Sequence, residues 1–318
     1  MPDRPDSTDR SAAADPPPTS VVLPTVRWTD ACDEVAAQLD DDDELLVIAD
    51  VTTDPVVDRR GDLPAGVRLV LAGEPAGCSG KANAIAAGMK AARHDRIVWT
   101  DDDFHHPPDW LTTLHADYER QGPTTEVPVF VGRDPLATLL EPAYVIGGSL
   151  AVAYGGIAWG GAVVFERDDL EEDAFLADLE RSLSDDGTLT DHLAVTAADR
   201  TRLVPAGGTL RGSLERYVRF VRITRYYAPR ATAGNVALAV VLALLCLLAP
   251  LVTTAFVTVL SAATYRRFGI RRRTVLLAAP AVLLSPMLLA YGLARRTVVW
   301  GGRRYRWRGK LDVTVESE

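Results

Sequence analysis

Short apolar runs with the composition of β-strands alternate with stretches of helical periodicity between residues 18 and 210. Strands are predicted at 20–23, 44–49, 67–71, 96–100 and 127–131. Helices are predicted at 33–39, 81–93, 109–121 and 172–183. This alternation is typical of an α/β fold with a mostly parallel sheet and helices on both faces. Ligands of such sheets bind beyond the carboxyl ends of the strands.

The last third of the chain carries two long apolar runs without a charged residue. They cover residues 231–265 and 274–294, and a bilayer core needs about 20 helical residues. We therefore predict C-terminal transmembrane helices within residues 231–295. As one helix the first run would be about 52 Å long, so it is either one tilted span or two shorter segments broken at Pro250.

The arginines around these runs leave the membrane topology open. Five stand in the loop 266–273, and others flank both outer ends of the apolar region. Two spans would put the five-arginine loop on the far side, against the tendency of positive charge to stay on the cytoplasmic side, where we expect the catalytic domain. A re-entrant hairpin around Pro250, or around Pro280 and Pro286, would remove this conflict. A further uncharged run at 143–165 holds six glycines, which disfavour a spanning helix, and predicts a pocket wall or a membrane-facing loop.

The formal net charge of −9 combines two regions of opposite sign. Residues 211–318 hold 17 Arg, 1 Lys and 4 acidic residues, whereas residues 1–210 hold 16 basic and 39 acidic residues. Because the basic groups flank apolar runs, we expect a membrane as a partner and no nucleic acid. Three scattered cysteines argue against a disulfide framework and a cysteine-based zinc site. Residues 1–17 lack an apolar signal-peptide core and are predicted to be a disordered tail.

An apolar strand ends in three adjacent carboxylates, Asp101, Asp102 and Asp103. If they are buried, their mutual repulsion requires a counter-charge, and a divalent cation that prefers oxygen ligands would supply one. With a nucleotide diphosphate as a further ligand, this is the DxD arrangement, in which Asp101 and Asp103 bind the metal. The alternative is an acidic surface turn.

Two weaker motifs precede these carboxylates. Residues 77–84 read Gly-Cys-Ser-Gly-Lys-Ala-Asn-Ala, a turn entering a helix that offers backbone N–H groups and Lys81 to an anion. The strand at 44–49 is followed by Asp50, a carboxylate suited to contact a base or a ribose. A plain turn and a strand cap are the respective alternatives.

The order of these motifs resembles that of inverting GT-A glycosyltransferases of the family 2 type, and most closely the ceramide glucosyltransferases and their prokaryotic relatives. The similarity covers about residues 18–310. The motifs that carry it are Val21-Val22-Leu23-Pro24, Gly80-Lys81-Ala82-Asn83, Asp101-Asp102-Asp103, His106-Pro107-Pro108-Asp109-Trp110-Leu111, Ser184-Asp185-Asp186, Arg216-Tyr217-Val218-Arg219-Phe220 and Trp300-Gly301-Gly302-Arg303-Arg304-Tyr305-Arg306. Phe220 stands where the family carries tryptophan, which keeps the stacking surface but removes an indole N–H donor.

The resemblance implies a role for each site residue. Asp186 is the expected general base, with Asp185 beside it. Asp101 and Asp103 are expected to hold a divalent cation, Mg²⁺ or Mn²⁺. The expected substrate-binding residues are Asp50, Lys81, Asn83, Asp102, Trp159, Gly160, Gly161, Arg216, Arg219 and Phe220. A helix N-cap is the alternative for the acid pair, and snorkelling at a membrane interface is the alternative for the arginines.

The expected function is that of an integral membrane glycosyltransferase that moves a sugar from a nucleotide-sugar donor, UDP-glucose or a similar molecule, to a lipid hydroxyl. The predicted segments are a GT-A catalytic domain at 18–211, an interfacial amphipathic helix at 212–230, the membrane segments at 231–295 and a basic C-terminal tail at 296–318. Three alternatives stay open at this point: a processive polysaccharide synthase, a polyisoprenyl-phosphate sugar transferase and an inactive membrane-associated binding module.

Overall fold

The computed structural model describes residues 16–316, so nearly all of the tail predicted at 1–17 lies outside the described residues. The strands of the main sheet are β1 Thr19–Pro24, β2 Glu44–Ala49, β3 Val67–Leu71, β4 Arg96–Thr100, β5 Thr124–Gly132, β6 Ala162–Glu166 and β7 Thr196–Ala206. The strands of a smaller C-terminal sheet are β8 Thr297–Trp300, β9 Arg303–Gly309 and β10 Asp312–Glu316.

The α-helices of the described residues are α1 Asp30–Ala36, α2 Gly80–Ala91, α3 Trp110–Gln121, α4 Pro135–Tyr144, α5 Leu150–Gly155, α6 Glu172–Leu179, α7 Asp185–His192, α8 Leu210–Tyr227, α9 Pro229–Leu248, α10 Pro250–Arg267 and α11 Ala278–Ala294. A π-helical turn at Val145–Ser149 joins α4 to α5, and a 3-10 turn at Arg273–Leu277 leads into α11. Helical backbone is therefore continuous over Pro135–Gly155 and over Arg273–Ala294.

The main sheet has the strand order β3-β2-β1-β4-β6-β5-β7. Strand β1 pairs in parallel with β2 and β4, β2 with β3, and β5 with β7, whereas β6 runs antiparallel to both of its neighbours. The expected α/β fold with a mostly parallel sheet is thus confirmed. Because β1, β2 and β4 are parallel neighbours, their carboxyl ends at Pro24, Ala49 and Thr100 share one edge of the sheet.

Successive residues of the central strands enter hydrophobic cores on opposite faces of the sheet. Val21 and Leu23 pack with α1 and α3, whereas Val22 packs with α2, α6 and α7. Gly88 of α2 allows an especially close approach, because a Cβ atom there would lie 2.5 Å from a methyl group of Val22. This packing of α2 on the sheet holds its start beside the shared carboxyl edge.

The strands that the sequence pattern missed are those with the weakest patterns. Strands β1 to β4 coincide with predicted strands to within a residue or so, and β5 extends its prediction at both ends. Strand β6 lies inside the glycine-rich run at 143–165, where composition obscures it. Strand β7 is an edge strand whose polar and apolar residues do not alternate.

The first long apolar run forms two helices, α9 and α10, separated by a break at Ala249 before Pro250. This agrees with the second of the two expected arrangements. Within residues 16–316, three helices are long and apolar enough to cross a membrane by length and composition: Pro135–Gly155, Pro229–Leu248 and Arg273–Ala294. The run at 143–165, expected to be a pocket wall or a membrane-facing loop, does line a cavity over its first part. It is also helical as far as Gly155, where packing against β5 offsets the cost of its glycines.

Helix α8 replaces the interfacial helix predicted at 212–230, and its bounds differ by two or three residues at each end. It offers almost no free face to a membrane. Leu214, Tyr217 and Phe220 pack against the main core, and Val218 packs against the C-terminal sheet. The apolar stripe that predicted an interfacial helix therefore contacts protein on both sides.

The segment predicted as a basic tail at 296–318 is instead a folded sheet over its described part. Tyr305 and Trp307 of β9 are fully buried against α8. Arg222 of α8 is buried with them, and its guanidinium donates to the carbonyl oxygen of Trp307. The arginines of β9 alternate with these aromatic residues, which is why overall charge concealed the strand pattern.

Candidate active site

A cavity of about 590 Å³, the polar cavity, opens at the shared carboxyl edge of β1, β2 and β4. It contains most of the site residues expected from the sequence. Those that line it are Asp50, Lys81, Asp101, Asp102, Asp103, Trp159, Asp185, Asp186, Arg216, Arg219 and Phe220. The topology alone brings together residues that are more than a hundred positions apart, as parallel strands with crossover helices do.

Lys81 is the central cation of the polar cavity. Its Nζ atom lies 2.6 Å from Asp101 Oδ1 and 2.9 Å from Asp185 Oδ2. Ser79 caps the start of α2 by accepting from the N–H of Ala82, and this places Lys81 in the first turn. Desolvation lowers the pKa of Lys81, but the charges of Asp101, Asp185 and Asp186 outweigh it, so the pKa lies well above the ordinary value.

The two acids expected to include the base occupy the first turn of α7. Ser184 is the N-cap and accepts from the N–H of Gly187, so neither acid serves as the cap. Asp185 is buried and paired with Lys81, whereas Asp186 is partly exposed to the cavity and accepts from the N–H of Gly160 at 2.7 Å. Burial and the neighbouring Asp185 charge raise the pKa of Asp186 to about 7.

Glycine is required at position 160 because these two carboxylates lie very close to it. A Cβ atom there would lie 2.9 Å from Asp186 Oδ1 and 3.0 Å from Asp185 Oδ2. Gly161 has a different neighbour, because its Cβ would overlap the Trp159 ring at 2.3 Å. Both glycines thus shape the wall behind the acids, and the cavity is lined by Trp159 rather than by the glycines themselves.

The three carboxylates after β4 have separate partners. Asp101 pairs with Lys81, Asp102 accepts from Thr25 Oγ1 at 2.5 Å, and Asp103 opens into the cavity. The surrounding protein and the charge of Asp101 raise the pKa of Asp103 to about 7. The turn is acidic and Asp103 is exposed, but all three carboxylates line the polar cavity, which a plain surface turn would not require.

Asp101 and Asp103 fit a divalent cation by the chemistry of their donor atoms. Both offer hard oxygen ligands, and a cation would oppose the repulsion that raises the pKa of Asp103. Among residues 16–316 no group of three or more His, Cys, Asp or Glu is arranged to hold a metal ion. A cation held here would therefore complete its coordination with oxygen atoms of a bound ligand.

The RxxRF stretch of α8 forms the cationic wall opposite the carboxylates. The Arg216 guanidinium lies 4.5 Å from the ring centroid of Phe130 and 5.1 Å from that of Phe220. Arg219 lies 4.0 Å from the ring centroid of Trp300. Burial lowers the pKa of Arg219 to about 10. Both arginines point into the polar cavity, so interfacial snorkelling does not describe them.

The C-terminal sheet supplies a cavity wall that the expected site residues did not include. The turn between β8 and β9 lines the cavity with Trp300, Gly301, Gly302 and Arg303. Arg303 donates to Asp50 at 2.5 Å and to Glu74 at 3.0 Å, and Tyr305 accepts from the N–H of Gly80 at 3.1 Å. The similarity of residues 300–306 to a family motif was the one signal in the sequence for this wall.

Asn83 lies outside the polar cavity. Its side-chain amide donates to the carbonyl oxygens of Ala72 and Gly73, at 3.3 and 2.8 Å, and so ties α2 to the end of β3. His105 and His106 do not line the polar cavity either, and both contact Glu34. Burial lowers the pKa of His106 to about 4. These residues brace the loops of the site without facing its interior.

A second cavity of about 380 Å³, the apolar cavity, lies among α4, α8, α9, α10 and α11. Phe130 and Phe220 line both this cavity and the polar cavity. Their ring centroids are 5.6 Å apart. The two aromatic side chains thus form a common wall between a charged site and an apolar one.

The sequence profile of Glycosyl transferase family 21 matches residues 55–312, which cover most of the chain and every carboxylate of the polar cavity except Asp50. The chain belongs to this family. The family 21 protein is accordingly a glycosyltransferase, and the expected enzyme class is confirmed. No curated protein matches the family 21 protein. Its placement in the ceramide glucosyltransferase branch stays a prediction.

Several solved structures are similar to the family 21 protein at low identity and with TM-scores below 0.5. Mannosyl-3-phosphoglycerate synthase from Rubrobacter xylanophilus has a TM-score of 0.42 at 18% identity, over 68% of this chain and 75% of that one. S. aureus TarS, solved with UDP-GlcNAc, has a TM-score of 0.41 at 11% identity, over 94% and 99%. M. tuberculosis glucosyl-3-phosphoglycerate synthase has a TM-score of 0.39 at 18% identity, over 65% and 80%.

Proposed function

We propose that this glycosyltransferase moves a sugar, with inversion, from a UDP-linked donor such as UDP-glucose to a hydroxyl group of a membrane lipid. The observation that carries the proposal is the meeting of the two cavities at Phe130 and Phe220. One cavity has the charges that a nucleotide diphosphate needs. The other has the apolar lining that a lipid chain needs.

The polar cavity suits a nucleotide-sugar donor by charge and by size. Lys81, Arg216 and Arg219 place three cationic groups around it, and arginine is well matched to phosphate oxygens. At its far end Asp50, held by Arg303, offers oxygen atoms to a ribose or base. Asp101 and Asp103 would hold Mg²⁺ or Mn²⁺, which acts as a Lewis acid on the leaving diphosphate.

Asp186 is the proposed general base because it combines access with a suitable pKa. Asp185 is tied to Lys81, so the two adjacent acids have different surroundings. Asp186 faces the cavity, and its pKa of about 7 lies close to the working range of a general base. The hydrogen bond from Gly160 fixes its Oδ1 atom and leaves Oδ2 to accept the acceptor proton.

The apolar cavity supports a lipid rather than a soluble acceptor. Leu238, Leu242 and Leu260 are among the aliphatic residues that line it, with few polar groups such as Ser285. The three helical segments that are long and apolar enough to enter a membrane by length and composition all contribute residues to its lining. An acceptor whose chains occupy this cavity would present its hydroxyl group past Phe220 toward Asp186.

The experiment uses the purified full chain in mixed lipid and detergent micelles with UDP-glucose and other nucleotide sugars. Lipid extracts are analysed by mass spectrometry, and Asp186→Asn is the matched inactive control. We expect one sugar on a hydroxyl-bearing lipid, with the opposite anomeric configuration to the donor. A polymeric product, a glycosylated polyisoprenyl phosphate or a sugar on a water-soluble acceptor would each contradict the proposal.

A second pair of variants tests the acceptor cavity itself. Ser285→Phe places a ring inside the apolar cavity, whereas Leu283→Phe, two residues away, changes an exposed position. We expect Ser285→Phe to raise the KM for the lipid at least about tenfold with donor binding unchanged, by occlusion of apolar contact area. Equal activity in both variants would exclude the apolar cavity as the acceptor site.

A further inference from the structure

Both ends of the apolar hairpin α9–α10 lie against the catalytic domain. Helix α9 follows α8 directly, with only Ala228 between them. At the end of α10, Arg267 pairs with Asp199 at 2.9 Å, and the carbonyl oxygen of Phe268 accepts from Thr201 at 3.4 Å. Asp199 and Thr201 belong to β7, the edge strand of the main sheet. The chain therefore returns to the side from which it left.

The five-arginine loop lies on the same side. Arg272 donates to Glu141 at 2.7 Å, and Thr274 donates to the same carboxylate. Glu141 is fully buried on α4, and it also accepts from the N–H of Gly132 at the end of β5. The loop at 266–273 is thus fastened to the catalytic sheet through one buried acid. A topology with this loop across a membrane would break these contacts.

Helix α11 also begins and ends at the catalytic domain. Beyond its last turn, Arg295 reaches Glu215 of α8 at 3.4 Å, and Arg225 of α8 donates to the carbonyl oxygen of Leu293 at 3.1 Å. Just before that end, Gly292 packs so closely on Val221 that a Cβ atom would lie 3.0 Å from it. The end of α11 is therefore fixed against α8, and its start follows the loop that is fastened to Glu141.

The part of the hairpin farthest along the chain from both ends is uncharged and exposed. At the turn between α9 and α10, Leu247, Leu248, Leu251 and Val252 are 71%, 81%, 86% and 73% exposed. No charged residue stands between 231 and 265, so the turn holds nothing suited to the headgroups of an opposite leaflet. The arginines instead flank the ends of the hairpin, where anionic headgroups would attract them.

We infer that residues 229–294 enter the membrane from one face only and cross it nowhere. The hairpin α9–α10 dips into the bilayer with its turn at Leu248–Pro250, and α11 lies along the protein at the membrane surface. Exposed Leu276, Leu283, Met287 and Tyr291 are spaced to form one lipid-facing stripe on Arg273–Ala294. This placement rests on the membrane association in the proposed function, and it puts every arginine cluster on the catalytic side, in agreement with the positive-inside tendency.

The test is labelling of single introduced cysteines by a membrane-impermeant maleimide. The variants are Ala174→Cys on the catalytic domain, Arg271→Cys in the loop and Ala249→Cys at the turn, all at exposed positions. The native Cys32, Cys78 and Cys246 are buried, so labelling of the unchanged chain gives the background. Each variant is expressed in cells and labelled in sealed vesicles of both orientations.

We expect Arg271→Cys to be labelled only in the vesicle orientation that labels Ala174→Cys. Ala249→Cys should be labelled in neither orientation and become reactive when detergent is added. Labelling of Arg271→Cys or Ala249→Cys from the face opposite to Ala174→Cys would overturn the inference. Recovery of the chain in the soluble fraction would overturn it together with membrane association. Loss of lipid glycosylation with the expected labelling would refute only the acceptor in the proposed function.

Discussion

The guanidinium of Arg219 stacks over the indole ring of Trp300 at 4.0 Å, and this contact joins α8 to the C-terminal sheet across the polar cavity. Arg219 therefore has both a stacking partner and a place among the groups that face a donor diphosphate. A guanidinium suits this position better than an ammonium group, because its planar, delocalised cation both stacks on an aromatic ring and bridges phosphate oxygens.

We predict that Arg219→Lys lowers turnover by about 10-fold or more, since it keeps the charge but loses the fork and the stacking on Trp300. Steady-state kinetics with the lipid acceptor measure the effect. The matched control is Arg225→Lys, an exposed position on the same helix. Arg222 does not serve as a control because it is buried against Trp307. Equal small effects at positions 219 and 225 would mean that Arg219 has no part in the reaction.

Asp186→Asn should retain the fold and donor affinity while turnover falls by about 10²–10⁴-fold, because the near-isosteric amide cannot accept a proton. Calorimetric titration with UDP and a single-turnover assay separate binding from chemistry. Asp185→Asn is the informative neighbour, because it removes the partner of Lys81 and should weaken donor binding as well. Full activity in Asp186→Asn with an inactive Asp185→Asn would move the base by one residue.

The raised pKa of Asp186 predicts a pH profile of definite sign. The base must be ionised, so turnover at saturating donor and cation should rise through about pH 7 and fall on the acidic side. Folding stability should change in the opposite direction. A carboxyl group with a raised pKa stabilises the fold below its unfolded pKa, and this contribution is lost as pH rises through about 7. Urea unfolding between pH 4 and 8 should show that the free energy of unfolding declines less with rising pH in Asp186→Asn than in the native chain.

Gly160→Ala should abolish most of the activity, because its Cβ would press on both Asp185 and Asp186. Rate constants and donor affinity are compared with those of Gly155→Ala, because a Cβ atom added at Gly155 would have its nearest neighbour at 3.9 Å. We expect Gly155→Ala to be near normal. A fully active Gly160→Ala would show that the acid pair has more freedom than its present contacts indicate.

Asp103→Ala should weaken UDP-sugar binding and abolish transfer, and chelation by EDTA should have the same effect on the native chain. The reason is that the diphosphate charge loses its bridging cation. Asp109→Ala, an exposed acid a few residues further along, is the control. UDP affinity that is insensitive to both EDTA and Asp103→Ala would remove the DxD assignment.

Local sequence patterns predicted an element correctly where the element's own apolar residues were enough to identify it. The strands ending at Ala49 and Thr100 were predictable because burial on both faces leaves them uniformly apolar, and the carboxylates after them had to share an edge. The pairing of Asp185 with Lys81, in contrast, depends on where α7 meets α2. No periodicity in either segment encodes that distance.

The least predictable features are those in which two distant segments share one function. The stripe on α8 was correctly identified as apolar but assigned to lipid, because sequence periodicity does not identify what covers a face. The arginine-rich β9 was predicted to be a tail because its charge obscured the alternation of arginines with buried aromatic residues. Only the fold shows that Arg303 meets Asp50 from the other end of the chain.

The polar cavity is built from both extremes of the chain, from Pro24 to Tyr305. During synthesis, Trp300 and Arg303 can therefore close the wall only after the other lining segments have been made. Residues 229–294 emerge earlier than that wall. On the proposed membrane placement, the nascent enzyme reaches lipid while its donor site is still open to water. On that placement, the apolar hairpin is made before the residues that complete the donor site.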